Sequence, residues 1–426
     1  MVKKEKKKVY MLADSIYSTT GNARVTKTLL TGLKSQGFNV ANIGIGADEP
    51  EGEFEGIKFL PITQHGFDEN SVQVFLNKLT KYLERDKPDF LIILGDRVHF
   101  QNLGVGNISK DFLEMIGTKM IFWETVDSNA MLCMENTIQN PTTPRKQIYP
   151  ACTNVVTTSH YGKKVLENEF VKVDKVIWEF VDTERFTPVN DNKKIEIRKE
   201  YRFKKDDFVF FMVGRCMRRK NPELVMEALY PLLVEHPNVR LFCLIPDYNI
   251  KDDQNLVDFA KRVLPSRYGG RDMIDEQKIL FCTVNKQPTR LAAGIDDDEV
   301  VKFYQISDAV ISGSSNEGFN LVFGETMSCG LPYVGINNTT IPELTSNGKV
   351  GFIAPGSVEH HVGQSMVITT TSIEEMREQC KKVLSLSKED MGKMKEKNRS
   401  YIKDLIPKSK MILEWKHYLE SISGGN

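Results

Sequence analysis

The sequence predicts an α/β protein built from two doubly wound, parallel-sheet domains, and three observations predict it. The chain has 426 residues, more than one ordinary core organises. Short β-rich apolar runs recur along it, each followed by a longer amphipathic stretch, which is the pattern of parallel α/β units. That pattern pauses once and then starts again.

In the first half the runs are Val9–Leu12, Val40–Ile45, Phe90–Leu94, Met120–Trp123 and Val155–Thr158. In the second half they are Phe208–Val213, Val239–Ile245, Lys278–Phe281, Ala309–Ser312 and Tyr333–Gly335. Several are apolar without alternation, as strands covered on both faces should be. The pause falls between Asp182 and Asp207, where Thr183-Glu184-Arg185-Phe186-Thr187-Pro188 leads into the polar run Asn190–Lys194. A proline followed by a charged, poorly apolar segment reads as a domain boundary, placed near Asp182. The tail from Ser387 to Ile422 reads as two helices, the last with Ile412, Trp415, Leu419 and Ile422 on one core-facing stripe.

Composition narrows the function classes. With 40% hydrophobic and 27% charged residues the chain can bury two sizeable cores. Lysine plus arginine equals aspartate plus glutamate at 57 each, so no whole-chain field favours nucleic acid or an anionic membrane. The seven cysteines are scattered, with no C-x-x-C pair, and read as reduced thiols of a cytoplasmic protein. The stretch Val9–Ala13 is too short for a signal-peptide core, and no run approaches the ~20 apolar residues of a spanning helix. Lys3–Lys8, Lys27 and Lys34 leave peripheral membrane contact as a minor possibility.

In parallel sheets ligands sit beyond the carboxyl ends of strands, so the turns there are the places to search. The run Ser312-Gly313-Ser314-Ser315-Asn316-Glu317-Gly318-Phe319-Asn320-Leu321 follows a strand and delivers the chain into a helix. Free N–H groups at such a helix start suit a diphosphate. Glu317 and Glu325 flank it; they either accept hydrogen bonds from ligand hydroxyls or are solvated carboxylates on a capped helix. A second turn, Val213-Gly214-Arg215-Cys216-Met217-Arg218-Arg219-Lys220-Asn221-Pro222, also joins a strand to a helix. Arg215 and Lys220 there could neutralise a diphosphate and the charge that develops as a glycosidic bond breaks; Arg218 and Arg219 are expected to face solvent. A third turn, Ser18–Arg24, carries Gly21 and Asn22 without a G-x-G-x-x-G fingerprint, which disfavours a redox enzyme.

At these residues the sequence resembles the retaining GT-B glycosyltransferases of family four, also called group 1. Glu317 and Glu325 fit the E-x7-E element, and Met327–Pro332 and Ile341-Pro342-Glu343-Leu344 with Gly348, Gly351 and Phe352 fit two later stretches. Val213-Gly214-Arg215 with Lys220-Asn221-Pro222 fits the family's basic turn, and Val181-Asp182-Thr183 with Phe186 and Pro188 its linker. The resemblance implies two Rossmann-like domains: an acceptor-side domain at 1–182 and a donor domain at 183–405. It also implies a helix at 406–426 returning toward the first domain.

It implies as well a retaining, metal-independent transfer of a hexose-type sugar from a nucleotide-sugar co-substrate, UDP- or GDP-linked, with no other cofactor. Arg215, Lys220 and Glu317 would carry the chemistry; Gly214, Gly318, Phe319, Asn320, Leu321 and Glu325 would bind the donor. The family's first-domain histidine is missing, with Glu124 or Asp127 in its stretch, and His99 and His160 near other strand ends are either acceptor-side groups or packing residues. A glycan, a lipid or a small molecule could be the acceptor; nucleic acid has no support. Two alternatives remain beside this reading: a sugar-nucleotide epimerase of the same fold, and a non-catalytic nucleotide-sugar-binding subunit.

Overall fold

The computed structural model describes residues 6–46, 49–128, 148–245, 255–284, 287–288, 295–361 and 366–423. Cys133 and the run Pro246-Asp247-Tyr248, both singled out in the sequence, lie outside them. The chain divides into two compact units, one comprising Met1–Phe180 with Lys408–Asn426 and the other Val181–Pro407.

The first unit is built on an eight-stranded sheet: β1 (Lys8–Asp14), β2 (Asn39–Ile45), β3 (Gly52–Phe54), β4 (Ile57–Ile62), β5 (Phe90–Gly95), β6 (Lys119–Glu124), β7 (Asn154–Thr157) and β8 (Lys175–Val176). Its order is β3-β4-β2-β1-β5-β6-β7-β8, and all neighbours are parallel except β3 and β4. Strand order therefore reverses between β1 and β5, whose side chains are buried on both faces. Helix starts are fixed by side-chain caps: Thr20 accepts from Ala23, Asp68 from Ser71 and Ser159 from Gly162.

The helix Lys408–Ser423 belongs to this unit. Trp415 and Leu419 are fully buried, with the Trp415 ring edge-on to Trp123 at 5.0 Å between centroids. The approach is close because the facing helix offers a glycine: a Cβ at Gly32 would lie 2.4 Å from Ile412 Cδ1. No helix among the described residues is long and apolar enough to cross a membrane. Of the seven cysteines, Cys152, Cys243, Cys282, Cys329 and Cys380 are buried free thiols and Cys216 is half-buried.

The second unit holds a six-stranded parallel sheet of β9 (Phe208–Val213), β10 (Val239–Leu244), β11 (Ile279–Phe281), β14 (Ala309–Ile311), β15 (Tyr333–Ile336) and β16 (Phe352–Ala354). Two antiparallel pairs accompany it, β12 (Thr283–Val284) with β13 (Gln287–Pro288) and β17 (Ser357–His361) with β18 (Met366–Thr370). The order β11-β10-β9-β14-β15-β16 reverses between β9 and β14. Both sheets are thus doubly wound, as the recurring apolar runs predict.

Asp308 fastens the amino ends of β9 and β14. Its carboxylate accepts from Lys194 Nζ at 2.7 Å, Arg198 Nη2 at 2.5 Å and the Val209 N–H at 2.8 Å. Burial works against the charge, but the two cations hold its carboxyl below the usual range. Asp308→Asn leaves those cations uncompensated in the interior, so we expect a loss of about 3–5 kcal/mol, read from the chemical-denaturation midpoint. An unchanged midpoint would show that the cluster contributes nothing to the fold.

Candidate functional site

The turns after β9 and β14 lie side by side where the second unit's strand order reverses. Gly214, at φ +154°, lets the chain leave β9 through a conformation closed to other residues, and Asn221, at φ 47°, turns it into the helix Pro222–Glu235. A Cβ on Gly313 would fall 2.5 Å from the Asn221 carbonyl oxygen, so only glycine permits the two turns to touch. The Ser315 N–H donates to the Arg219 carbonyl at 2.7 Å.

Charge joins them as well. Lys220 Nζ donates to Glu317 Oε1, while Arg219 Nη1 donates to the Asn316 carbonyl at 2.8 Å and lies 3.4 Å from Glu317 Oε2. A third loop closes the far side: Asn338 Nδ2 donates to the Ser314 carbonyl at 2.6 Å, and Thr339 Oγ1 accepts from the Glu317 N–H at 3.1 Å. Asn316 donates to the Val367 carbonyl at 2.7 Å, tying the β17–β18 hairpin to the same loop.

Glu317 is 8% exposed and Glu325 5%, so the solvated-carboxylate alternative is excluded for both. Burial alone would raise the Glu317 pKa, but Lys220 and then Arg219 hold it below the usual carboxylate range. The expectation that Arg219 faces solvent is also corrected: its guanidinium is half-buried on the Glu317 loop, because that loop carries a carbonyl and a carboxylate within reach of one guanidinium nitrogen, Nη1. Glu325, inside the helix Leu321–Ser328, accepts from Tyr304 Oη at 2.6 Å. Tyr304 was missed in the sequence because nothing local marks it; only the fold brings its helix, Asp297–Ile306, beside Glu325.

The remaining predicted donor residues divide by what their side chains already do. Asn320, at φ 76°, caps the helix by accepting from the Phe323 N–H at 3.1 Å and donates to Tyr333 Oη at 3.0 Å. Phe319 is buried, and its carbonyl accepts from Thr340 Oγ1 at 3.2 Å. Gly318 and Leu321 are half-buried at the helix entrance, whose first N–H groups lie outside the helical ladder. Arg215 is exposed and has no side-chain partner among the described residues, so the structure does not bring it onto Glu317 as it does Lys220. No group of three potential metal ligands is found among the described residues.

In the first unit the acceptor-side candidates all fall at or just beyond the carboxyl ends of strands. Gly21 and Asn22 open the helix Gly21–Ser35, whose cap Thr20 donates to Asp14 Oδ2 at 2.5 Å. His99 lies edge-on to Phe67 at 6.1 Å, and His160, exposed, sits 6.1 Å from the Trp178 ring. Asp127 is half-buried beyond β6 and interacts with Tyr161. Glu124 ends β6 fully buried and accepts from Tyr149 Oη, with Oε1 unpartnered among the described residues. Arg97 nearby is paired at 2.8 Å to Glu169 through Nη1, with Nη2 unpartnered among the described residues. Burial pushes the Glu124 carboxyl up to about 7, against the pull of Arg97 and Tyr149 and with the help of Asp96 and Glu169.

Residues 283–400 match the family described as glycosyl transferases group 1. Over 175 residues, 41% of this chain and 38% of the relative, the sequence is 28% identical to a D-inositol 3-phosphate glycosyltransferase of Corynebacterium jeikeium. The chain thus spans about two fifths of the length of that relative. Among solved structures, a glycosyltransferase from Rickettsia africae superposes with a TM-score of 0.72 at 16% identity, over 99% of this chain and 100% of the other. HepE of Anabaena, in complex with UDP and glucose, superposes at 0.68 with 14% identity, over 97% and 100%. The fold is therefore the GT-B fold, and the likeness in sequence is to the group 1 glycosyltransferases.

The raised Glu124 pKa has a stability consequence whose sign is fixed. Between the ordinary carboxyl value of 4.5 and about 7 the folded state holds a proton that the unfolded chain has released. Stability contributed in acid is thus lost as pH rises through that window, by on the order of 3 kcal/mol. Glu124→Gln should flatten this part of the stability–pH curve and be the more stable form relative to wild type at pH 8; parallel curves would mean that Glu124 titrates normally.

Proposed function

We propose that this chain is a glycosyltransferase that moves a hexose-type sugar from a UDP- or GDP-linked donor to a hydroxyl acceptor, with retention and without a bound metal. The observation that carries this reading is the meeting of Lys220 with Glu317 where the two turns at the sheet's reversal touch. A cation beside a helix entrance suits a diphosphate, and a carboxylate within reach of it suits sugar hydroxyls. The family match over the second unit and the UDP and glucose bound by Anabaena HepE support the same donor class.

In this reading Lys220 and the exposed Arg215 neutralise the diphosphate, assisted by the helix entrance at Leu321. Glu317 holds the transferred sugar and Glu325, steadied by Tyr304, the ribose. The bond between the anomeric carbon and the diphosphate oxygen breaks, the acceptor oxygen bonds to the same face, and the acceptor proton passes to the departing diphosphate oxygen. Cations and amide dipoles stabilise that leaving charge. Gly21, Asn22, His99, Glu124, Asp127 and His160 are the candidates for acceptor recognition, and the relatives' name puts inositol phosphate among the acceptors to try. No observation favours the epimerase or the non-catalytic alternative.

The test is thermal stabilisation by a panel of nucleoside diphosphates and nucleotide-sugars, wild type beside Lys220→Ala. A ligand at ~100 times its dissociation constant should add about 2.7 kcal/mol to the wild type. The variant should lose most of that gain. If no member of the panel shifts the wild-type melting curve, the donor assignment fails.

A further inference from the structure

We propose that Arg219 is a positioning residue that keeps Glu317 in place and charge-compensated while Lys220 is engaged by the donor diphosphate. The inference rests on the donor reading above and assigns a division of labour between neighbouring cations.

One carboxylate here is shared by two cations, one on each oxygen: Lys220 on Oε1 and Arg219 on Oε2. Their attachments differ. Among the described residues, no partner besides Glu317 is recorded for Lys220 Nζ, at the end of a flexible stem, so a diphosphate can draw it away. Arg219 is anchored to the loop it serves, by its side chain to the Asn316 carbonyl and by its own carbonyl to the Ser315 N–H. A diphosphate that takes Lys220 would leave a lone buried carboxylate facing an incoming dianion, a costly arrangement. With Arg219 in place the carboxylate keeps a cation and its oxygens stay aimed for sugar hydroxyls. Both contacts leave one guanidinium nitrogen, Nη1; a lysine at this position could supply the charge, but from a flexible, strongly hydrated ammonium without the rigid planar group that holds that nitrogen in place.

The nucleoside diphosphate and the sugar should therefore respond differently to the loss of Arg219. The experiment measures binding of UDP and UDP-glucose, and of GDP and GDP-mannose, to wild type, Arg219→Gln and Arg219→Lys between pH 5 and 8. In Arg219→Gln we expect the nucleoside diphosphate to bind within about 3-fold of wild type, which also shows that the variant is folded. The extra affinity conferred by the sugar should fall by ~10-fold or more. Relative to wild type it should also gain a pH dependence, recovering as pH rises, because burial of Glu317 is then opposed only by a Lys220 that the diphosphate occupies. Among the described residues the other groups around Glu317 are the Ser314 and Thr339 hydroxyls and the Tyr333 phenol, pushed up to about 12, none of which titrates in this range; the terminal phosphate of free UDP or GDP titrates near ~6 beside every variant alike, so the wild-type profile is the reference. Arg219→Lys should restore the wild-type pH profile and part of the sugar's contribution.

If Arg219→Gln binds both ligands in the wild-type ratio with an unchanged pH profile, the positioning role is overturned. A variant that loses the nucleoside diphosphate as fully as the nucleotide-sugar would overturn it too, making Arg219 a diphosphate ligand instead. Should wild type bind none of the four, the donor reading itself fails and takes this inference with it.

Discussion

The Glu317 carboxylate lies out of water between two cations, and the loops around it are shaped by that requirement. An uncompensated charge at this depth would cost several kcal/mol, so Lys220 and Arg219 must come within bonding range of a residue almost a hundred positions away. That approach is possible only if the two turns touch. Gly313 makes room for it, and the Ser315–Arg219 backbone bond fixes the distance. Asn338 and Thr339 then satisfy the Ser314 carbonyl and the Glu317 N–H, groups that the irregular loop would otherwise bury unpaired.

Glu124 shows the opposite outcome for the same residue type in a comparable place. Both glutamates sit past or at the carboxyl end of a parallel strand and both are buried. The difference lies in how the cations are shared. Around Glu317 two cations serve one carboxylate, whereas Arg97 already serves Glu169, and Asp96 adds a further negative charge. Charge is therefore favoured at the first site and disfavoured at the second. A buried carboxyl that holds its proton near neutrality can donate a hydrogen bond, which Glu317 cannot.

The ten apolar runs read from the sequence all become strands, because strands buried on both faces must be apolar throughout and so announce themselves. β4 does not: Pro61 interrupts its apolar run, yet the strand survives in a parallel pairing with β2, and the Pro61 carbonyl accepts from Tyr82 Oη at 2.9 Å. The hairpin β17–β18 carries no turn signature that stood out and is held to the site through Asn316. In the second unit the turns that carry Lys220, Glu317 and Glu325 were legible from spacing and resemblance, while the contact between Lys220 and Glu317 was not. Nor were Arg219 and Tyr304, because their contacts are long-range: an arginine in a run of basic residues looks solvated until an acidic loop is folded against it.

The two glutamates of the second unit are held by different physics. Glu325 receives its hydrogen bond from Tyr304, whose ring is locked in the core against Phe186 at 5.5 Å and Phe211 at 5.1 Å between centroids. Its position is set by packing, so moving it would require several aromatic rings to repack. Glu317 is set by charge and loop hydrogen bonds, and one of its two cations sits on a flexible stem. A donor that spans both would meet a fixed contact at one end and an adjustable one at the other. In the proposed transfer the adjustable end would lie beside the cation assigned to the leaving group, which is where a change in charge during reaction calls for a responsive partner.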